Sequence, residues 1–302
     1  MRVLVAGATS VPGLPLLREL GARGHDVVGI TRSPDKTAEI AAAGAQPVVA
    51  DVFDAAQIDA ALAELRPDVV ISLLATLPKR GPMRIKDFEP ARRLWGSGAP
   101  NLVRAAQRAG VRRVVAESVL FAYGYGSTGP ALMDETDPYP GPPPPSGADM
   151  LNALRDMEQT VLTSGEHSDT EGIVLRYGVF YGPDVPHTKM FTRLVKWWLM
   201  PAVTGSGIVS WIHIDDVVSA TADAVDKGRG GQIYNIVDDR PQSFGDYVRE
   251  MAVELHRPRP LPVSPRLFGL IAPYGAVAFG DTWLPLSNAK AKAELGWTPR
   301  PR

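Results

Sequence analysis

The chain alternates short apolar runs with longer segments in which apolar residues recur at helical spacing. The first run, Arg2 to Ala6 (RVLVA), is apolar and β-branched, and Leu14, Leu17 and Leu20 follow it at three-residue intervals. A short unbroken apolar run is typical of a strand buried on both faces, and the three-residue spacing predicts a helix. Further apolar runs cover 26–31, 46–50, 67–74, 111–117, 172–176 and 232–237. The alternation predicts an α/β fold with a doubly wound parallel sheet.

The segments between the runs predict the helices. They cover 36–43, 55–65, 91–109, 149–163, 190–200 and 243–255. The segment 91–109 predicts one long helix that ends at Gly110. The segment 190–200 predicts an amphipathic helix, and we expect its Trp197 and Trp198 to pack in a core or lid.

A glycine turn connects the first predicted strand to the first helix. Its pattern is Gly7-Ala8-Thr9-Ser10-Val11-Pro12-Gly13. The N-terminus of a helix offers free N–H groups and a positive dipole end, which suit a pyrophosphate. We therefore predict that Gly7, Thr9, Ser10, Val11 and Gly13 contact a bound dinucleotide. The alternative is an α/β fold that keeps the turn without the nucleotide.

The second predicted strand ends in Thr31-Arg32-Ser33. At this place in dinucleotide folds an acid binds the ribose hydroxyls, whereas an arginine accommodates a 2′-phosphate. We therefore predict NADP(H) as the preferred cofactor and NAD(H) as the alternative. An arginine in a solvated loop would also explain Arg32.

The turn resembles the GxxGxxG turn of the short-chain dehydrogenase/reductase superfamily, with Ser10 at the middle glycine. Later motifs are similar to those of its extended branch, the NAD-dependent epimerase/dehydratase family. They are Tyr123-Gly124, the segments 177–183 (YGVFYGP) and 213–217 (HIDDV), and the tail 287–299 (SNAKAKAELGWTP).

The resemblance covers nearly the whole chain and implies a Rossmann-type fold in two parts. Residues 1–176, with 208–237 returning to them, would form the dinucleotide-binding domain. A smaller C-terminal substrate lobe would comprise 177–207 and 238–302, with the Leu-Gly-Trp of the tail packed in it. His213 would anchor the boundary between the two parts.

The resemblance also implies further cofactor contacts. Asp51 and Val52 would lie beside the adenine, and the segment Leu74, Ala75 and Thr76 would run under the nicotinamide ribose. A second explanation of Asp51 is that it caps the helix 55–65.

The catalytic motif of the family departs most from its usual form. Family members carry YxxxK on a helix, where the lysine lowers the pKa of the tyrosine for proton transfer. With Glu158 aligned on the family's glutamate, Met150 and Leu154 take the tyrosine and lysine positions, and no Tyr-x-x-x-Lys occurs in the chain. The family's catalytic hydroxyl position falls on Val119, and a one-residue shift of the alignment would place the hydroxyl of Ser118 there.

Three functions remain open from the sequence. The first is an oxidoreductase, epimerase or dehydratase-like enzyme for a small organic substrate, with Tyr123, Ser118 or Tyr177 as candidate catalytic residues. Tyr125, Tyr181, Glu117 or water are further proton sources. The second is a redox-neutral isomerase, dehydratase or cyclase, and the third is a non-catalytic NADP sensor similar to NmrA-like regulators. The Gly/Pro-rich segment 124–147, as a cover, favours an enzyme.

The composition limits the kinds of partner that we expect the chain to bind. The net charge of −1 argues against nucleic acid, and the chain has no cysteine. Its five histidines show no metal-ligand spacing, so we predict no metal. No apolar run reaches the length of a membrane span and no leader precedes the first strand, which predicts a cytoplasmic protein without a membrane partner. The resemblance implies a homodimer through the helices 91–109 and 149–163.

Overall fold

The computed structural model describes residues 1–78, 81–127, 129, 131–137, 147–166 and 168–301. Residues 128, 130 and 138–146 of the predicted Gly/Pro-rich cover lie outside the described residues. The strands in chain order are β1 (Arg2–Ala6), β2 (Asp26–Thr31), β3 (Gln46–Val49), β4 (Val69–Ser72), β5 (Arg113–Val119), β6 (Glu171–Tyr177), β7 (Val179–Tyr181), β8 (Ala202–Val203), β9 (Ile208–Val209), β10 (Trp211–His213), β11 (Gln232–Ile236), β12 (Gln242–Ser243) and β13 (Pro262–Val263).

The helices flank these strands. In chain order they are α1 (Gly13–Ala22), α2 (Thr37–Ala42), α3 (Ala55–Leu65), α4 (Glu89–Arg93), α5 (Ala99–Arg108), α6 (Ala148–Leu162), α7 (Pro186–Lys196), α8 (Ile214–Lys227), α9 (Phe244–Glu254), α10 (Pro265–Ile271), α11 (Pro273–Gly275) and α12 (Ala289–Leu295). No helix of the described residues combines the length and the apolar character needed to cross a bilayer.

Seven parallel strands of the described chain form one sheet in the order β3-β2-β1-β4-β5-β6-β11. The order reverses between β1 and β4, where Leu4 of β1 stands between Val28 and Val70. One apolar layer packs α1 and α8 against the sheet, and a second packs α3, α5 and α6 on the other face. The predicted doubly wound Rossmann-type fold is confirmed. Ligands of such sheets bind beyond the carboxyl ends of the strands, at the point of reversal.

The long helix predicted over 91–109 is wrong in one respect, because it is interrupted. A π-helical turn, Leu94–Gly98, separates α4 from α5. Gly96 and Gly98 weaken the helix here, and Pro100 has no N–H to donate. Trp95 is buried at this turn, so packing stabilises the irregular backbone.

The part of the chain beyond β6 adds three short strand pairs and α7, α9 and α10. The strands pair as β7 with β10, β8 with β13, and β9 with β12. The predicted helix 190–200 begins four residues earlier than expected, with Pro186 at its first position, where a missing N–H costs little. It ends at Lys196, before Trp197 and Trp198. Both tryptophans are mostly exposed, so the expectation that they pack inside is wrong.

The C-terminal tail returns to the parallel sheet. Leu295 and Trp297 belong to the buried cluster that includes α8 and β11, and the indole N–H of Trp297 donates to the hydroxyl of Ser219 at 3.1 Å. The expectation that Leu-Gly-Trp packs in the smaller lobe is therefore wrong. The division of the chain into the two predicted domains stays a prediction.

Candidate active site

The turn between β1 and α1 accepts only glycine at two positions. Gly7 has φ +82°, and a Cβ there would lie 2.3 Å from the carbonyl oxygen of Leu73. A Cβ on Gly13 would lie 2.5 Å from the carbonyl oxygen of Ala8. The N–H of Ser10 donates to the carbonyl of Gly7 at 2.9 Å, which closes the turn. The backbone is thus held tight against β4, as a phosphate-binding turn requires.

The polar atoms of this turn fit a bound dinucleotide. The hydroxyl oxygen of Ser10 is buried and has no hydrogen-bond partner among the described residues. No side chain caps α1 at Pro12, so the start of the helix is open to a ligand. Thr9 and Val11 are half-buried beside it. A buried, unpartnered hydroxyl at an uncapped helix N-terminus suits a pyrophosphate.

The end of β2 presents a free cation. The N–H of Ser33 donates to the hydroxyl of Thr31 at 3.2 Å, which fixes the turn around Arg32. Arg32 is exposed and forms no ion pair with any residue that the structure describes. Its guanidinium is therefore available to a phosphate.

The contacts in the loop after β3 distinguish between the two roles that the sequence left open for Asp51. Its carboxylate accepts the N–H of Phe53 at 3.0 Å, whereas the side chain that caps α3 belongs to Asp54. The alternative that Asp51 caps this helix is therefore wrong. The side-chain amide of Asn101 donates to the carbonyl of Val52 at 3.1 Å, which anchors the loop to α5.

The segment after β4 leads outward from the core. Leu73 still donates its N–H to the carbonyl of Ala6 at 2.9 Å. Leu74 is buried, Ala75 is half-buried and Thr76 is exposed. These three residues follow the carboxyl end of a central strand, next to the Gly7 turn.

The hydroxyl of Ser118 belongs to a buried network at the carboxyl end of β5. It donates to the carboxylate of Glu158 at 2.5 Å, and Arg176 binds the same carboxylate at 2.9 and 2.6 Å. Ser118 is fully buried. Sequence reasoning used Glu158 only for alignment and missed Arg176, although an arginine within an apolar strand was a signal for a buried acidic partner.

Tyr123 lies against the same network. Its ring is 4.4 Å from the Arg176 guanidinium, and its hydroxyl hydrogen-bonds the carbonyl of Asp134 at 3.1 Å and the side-chain oxygen of Asn235 at 3.0 Å. Burial raises the pKa of Tyr123, and the charge of Arg176 opposes that rise. Tyr123 therefore links the carboxyl ends of the parallel strands to the segment 131–137.

Tyr177 faces the opposite side of the sheet. Its hydroxyl shares a 2.7 Å hydrogen bond with that of Thr221 on α8. The ring is fully buried, and burial raises the pKa of Tyr177 far above its ordinary value. The structure therefore does not bring Tyr177 together with Ser118 and Tyr123.

Apolar side chains fill the two positions that the alignment on Glu158 assigns to the family's tyrosine and lysine. Met150 and Leu154 are buried in one cluster with Tyr125 and Tyr274, whose hydroxyls lie 3.0 Å apart. Burial raises the pKa of both tyrosines. The cation next to Leu154 on α6, Arg155, donates to the carbonyl of Ala122 at 3.0 Å. No Tyr–Lys relay exists at these two positions.

Glu117 places a buried carboxyl at the carboxyl end of β5. Ser72 pairs with Ala116, so one further step along the two chains sets Glu117 beside Leu73, which touches the Gly7 turn. The side chain is 9% exposed. Burial raises the pKa of Glu117 to about 8. An acid near this pKa can hold or release a proton near neutral pH.

His213 has a structural contact at the start of α8, and its predicted anchoring role between the two parts stays a prediction. Its Nδ1 accepts the N–H of Asp215 at 3.2 Å and thereby caps α8. Its ring lies edge-on to that of Tyr181, whose hydroxyl donates to Asp238 at 2.7 Å. Within the described residues, no group of three His, Asp or Glu side chains could hold a metal.

A parallel sheet with a glycine phosphate turn at its point of reversal defines a dinucleotide-binding protein of the Rossmann type. The chain belongs to the NAD dependent epimerase/dehydratase family, whose profile matches residues 3–237. The predicted family is thus confirmed. The family is one of epimerases and dehydratases, and the chain is an enzyme of the extended short-chain dehydrogenase/reductase type.

One relative matches the chain from end to end. It is a 3-diazoavenalumate denitrifying reductase of Streptomyces sp., 34% identical over 307 residues, with 99% of this chain and 96% of the relative covered.

Two solved structures share the fold. One is the UDP-glucose 4-epimerase of Thermotoga maritima with UDP-glucose, with a TM-score of 0.80, 21% identity and 100% and 94% of the two chains covered. The other is the UDP-glucose 4-epimerase of Thermus thermophilus in complex with NAD, with a TM-score of 0.78, 22% identity and 99% and 94% covered.

Proposed function

We propose that the chain is an NADP(H)-dependent reductase whose substrate accepts a hydride without a Tyr–Lys proton relay. One contrast carries the proposal: the turn keeps Gly7 and Gly13, where a Cβ would collide, while Met150 and Leu154 occupy the positions that the alignment on Glu158 assigns to the relay. A carbonyl reductase needs a proton donor for the developing oxyanion. A site without the Tyr–Lys relay suits a substrate whose reduction creates no alkoxide.

The substrate class follows from the chemistry that such a site still allows. The name of the Streptomyces relative states a diazo group, a carboxylate and a denitrifying reduction. We assign the same class, a diazo-bearing carboxylate in its diazonium form, to this chain. The bound cofactor supplies the hydride, and the balance R–N₂⁺ + NADPH → R–H + N₂ + NADP⁺ consumes no proton.

We assign different residues of the chain to different parts of the cofactor. Gly7, Ser10 and the start of α1 would hold the pyrophosphate, and Arg32 would pair with the 2′-phosphate. The adenine would lie beside Asp51 and Val52, and the segment from Leu74 to Thr76 would support the nicotinamide ribose.

The carboxyl of Glu117 would lie near the nicotinamide, because Glu117 stands beside Leu73 at the carboxyl end of β5. In its ionised form it attracts a cationic substrate, and in its neutral form it donates a hydrogen bond. The assignment of Ser118, Tyr123 and Tyr177 to proton transfer stays a prediction. Each of the three hydroxyls has a hydrogen-bond partner in the structure, so each also contributes to the packing around the parallel sheet.

Two measurements test the proposal. Titration with NADPH and NADH, followed by nicotinamide fluorescence, should give tight NADPH binding and weaker NADH binding. Turnover is then measured with 4-carboxybenzenediazonium and NADPH deuterated at the transferred position, and the matched carbonyl probe is 4-carboxybenzaldehyde.

We expect deuterated benzoate and N₂ at a rate that depends on the protein, and little reduction of the aldehyde. Reactions without protein, and with Gly7→Ala, control for direct reduction by NADPH. Faster aldehyde reduction would contradict the assigned substrate class. NADPH binding without turnover of either probe would favour the sensor, and no binding of either nucleotide would remove the reductase altogether.

A further inference from the structure

An exposed apolar surface lies at the end of α7. The consecutive residues Trp197, Trp198 and Leu199 are 72%, 67% and 69% exposed. Single exposed apolar residues are ordinary, whereas contiguous ones mark surfaces that meet another apolar phase. Trp198 also has φ +59°, a left-handed conformation that L-residues rarely adopt.

A second exposed group adjoins the first through the β8–β13 pair. The N–H of Ala202 donates to the carbonyl of Leu261 at 2.9 Å, so Leu261, which is 74% exposed, lies beside the segment that follows Leu199. The helix α10 begins two residues after β13. We call these exposed residues of 197–199, 261 and α10 the Trp–Leu face.

The helix α10 (PRLFGLI) is apolar around most of its circumference. Phe268 packs against Phe244, with ring centroids 5.8 Å apart. Leu267, Leu270 and Ile271 point away from this contact and are 55%, 78% and 73% exposed. A helix that is apolar on opposite sides is typical of one buried on both. The described part of the chain covers only one side of α10.

The charged side chains of the two chain segments that carry the Trp–Leu face are of one sign. No acidic residue occurs between 185 and 214 or between 255 and 280. The exposed cations in these two segments that form no ion pair with described residues are Arg193, Lys196, Arg257, Arg259 and Arg266. The whole chain has a net charge of −1, so positive charge is concentrated here.

We propose that the Trp–Leu face docks the protein on a membrane surface that contains anionic phospholipids. Tryptophan prefers the bilayer interface, leucine and isoleucine enter the acyl boundary, and the surrounding cations pair with lipid phosphates. The protein then lies on the bilayer and does not cross it. Pairing with a second copy through this face would set the same cations against each other.

Vesicle flotation tests the docking. The full-length protein is mixed with vesicles of phosphatidylglycerol and phosphatidylcholine in equal amounts, or of phosphatidylcholine alone. We expect binding to the anionic vesicles, weak binding to the neutral ones, and release by salt. Tryptophan emission should shift to the blue, and brominated lipid should quench it.

Two sets of variants separate the apolar and the charged contributions. Trp197→Ser with Trp198→Ser removes the interfacial side chains, and Arg257→Glu with Arg259→Glu reverses the charge. Each pair should weaken vesicle binding by at least about tenfold. The matched control is Val49→Ser, at an apolar residue of β3 that is 50% exposed, and it should bind like the wild type.

Circular dichroism and NADPH titration show that each variant keeps its fold. The proposal is overturned if the wild type binds no vesicles, or binds neutral and anionic vesicles equally. It is also overturned if sedimentation shows a concentration-dependent dimer that the tryptophan variant abolishes while vesicles are not bound. Only if the wild type binds no vesicles would an acidic protein partner be the better occupant of the Trp–Leu face.

Discussion

The guanidinium of Arg176 binds the carboxylate of Glu158 through two hydrogen bonds of 2.9 and 2.6 Å, and both side chains are 3% exposed. Glu158 also accepts the hydroxyl of Ser118, and Arg176 covers the ring of Tyr123. Charges at this depth are stable only when paired. The pair therefore fixes α6 to β6 and holds the polar residues of the sheet edge.

Glu158→Gln should destabilise the fold strongly, because it leaves the Arg176 charge buried and unpaired. We expect a loss of about 3–5 kcal/mol in the free energy of unfolding, measured by urea denaturation. The matched control is Glu89→Gln, which breaks the exposed pair with Arg92 and should cause no measurable change. The double variant Glu158→Met with Arg176→Met should recover much of the loss. Equal effects of Glu158→Gln and Glu89→Gln would contradict the role of burial.

Gly7→Ala should abolish cofactor binding, because its Cβ would collide with the Leu73 carbonyl. Gly24→Ala is the control: Gly24 also has φ +82°, but no atom lies within 4 Å of a Cβ there. Both variants carry the left-handed strain of about 1–2 kcal/mol. Only Gly7→Ala should lose NADPH affinity in a fluorescence titration. Similar affinities for the two variants would remove Gly7 from the phosphate turn.

Arg32→Glu should weaken NADPH binding by about 10- to 100-fold and leave NADH binding nearly unchanged. A charge-assisted hydrogen bond to the 2′-phosphate contributes about 1.5–3 kcal/mol, and NADH lacks that phosphate. Arg193→Glu makes the same charge change on α7 and controls for long-range electrostatics. Parallel losses for both nucleotides would show that Arg32 does not distinguish them.

Tyr123→Phe and Tyr177→Phe test proton transfer against structure. Each variant removes one buried hydroxyl, which should cost about 1–2 kcal/mol of stability. A catalytic tyrosine would in addition show a large fall in kcat with little change in NADPH affinity and a changed pH profile. Unchanged kinetics in both variants would exclude both as proton donors.

Glu117 should make the stability of the fold depend on pH. Burial raises the pKa of this carboxyl from about 4.5 to about 8, so the folded state holds its proton where the unfolded state has lost it. The stabilising contribution is complete below pH 4.5 and is lost as pH rises to about 8, by up to roughly 1.4 kcal/mol per unit. Glu117→Gln should flatten this fall in urea unfolding, whereas the exposed Glu64→Gln should keep it. The same slope in both variants would show that a group other than Glu117 causes the pH dependence of stability.

The sequence by itself determined the regular part of the fold and the cofactor turn. The bounds of β1, β2 and α3 match the predicted segments, and the Gly7–Gly13 turn lies where the strand meets the helix. These features depend on neighbouring residues: apolar runs, helical spacing, and glycines where a Cβ would collide. The missing Tyr–Lys pair is likewise a matter of residue identity.

Only the tertiary structure decided which side chains meet. The partners of Ser118 and Tyr177 lie on α6 and α8, tens of residues away, so no local pattern could separate a free hydroxyl from a bonded one. The break after Arg93 depends on the burial of Trp95. The exposure of Trp197 depends on where α7 ends against its neighbours. Local sequence determines what a segment can form, and long-range packing determines which of its atoms remain available to a ligand.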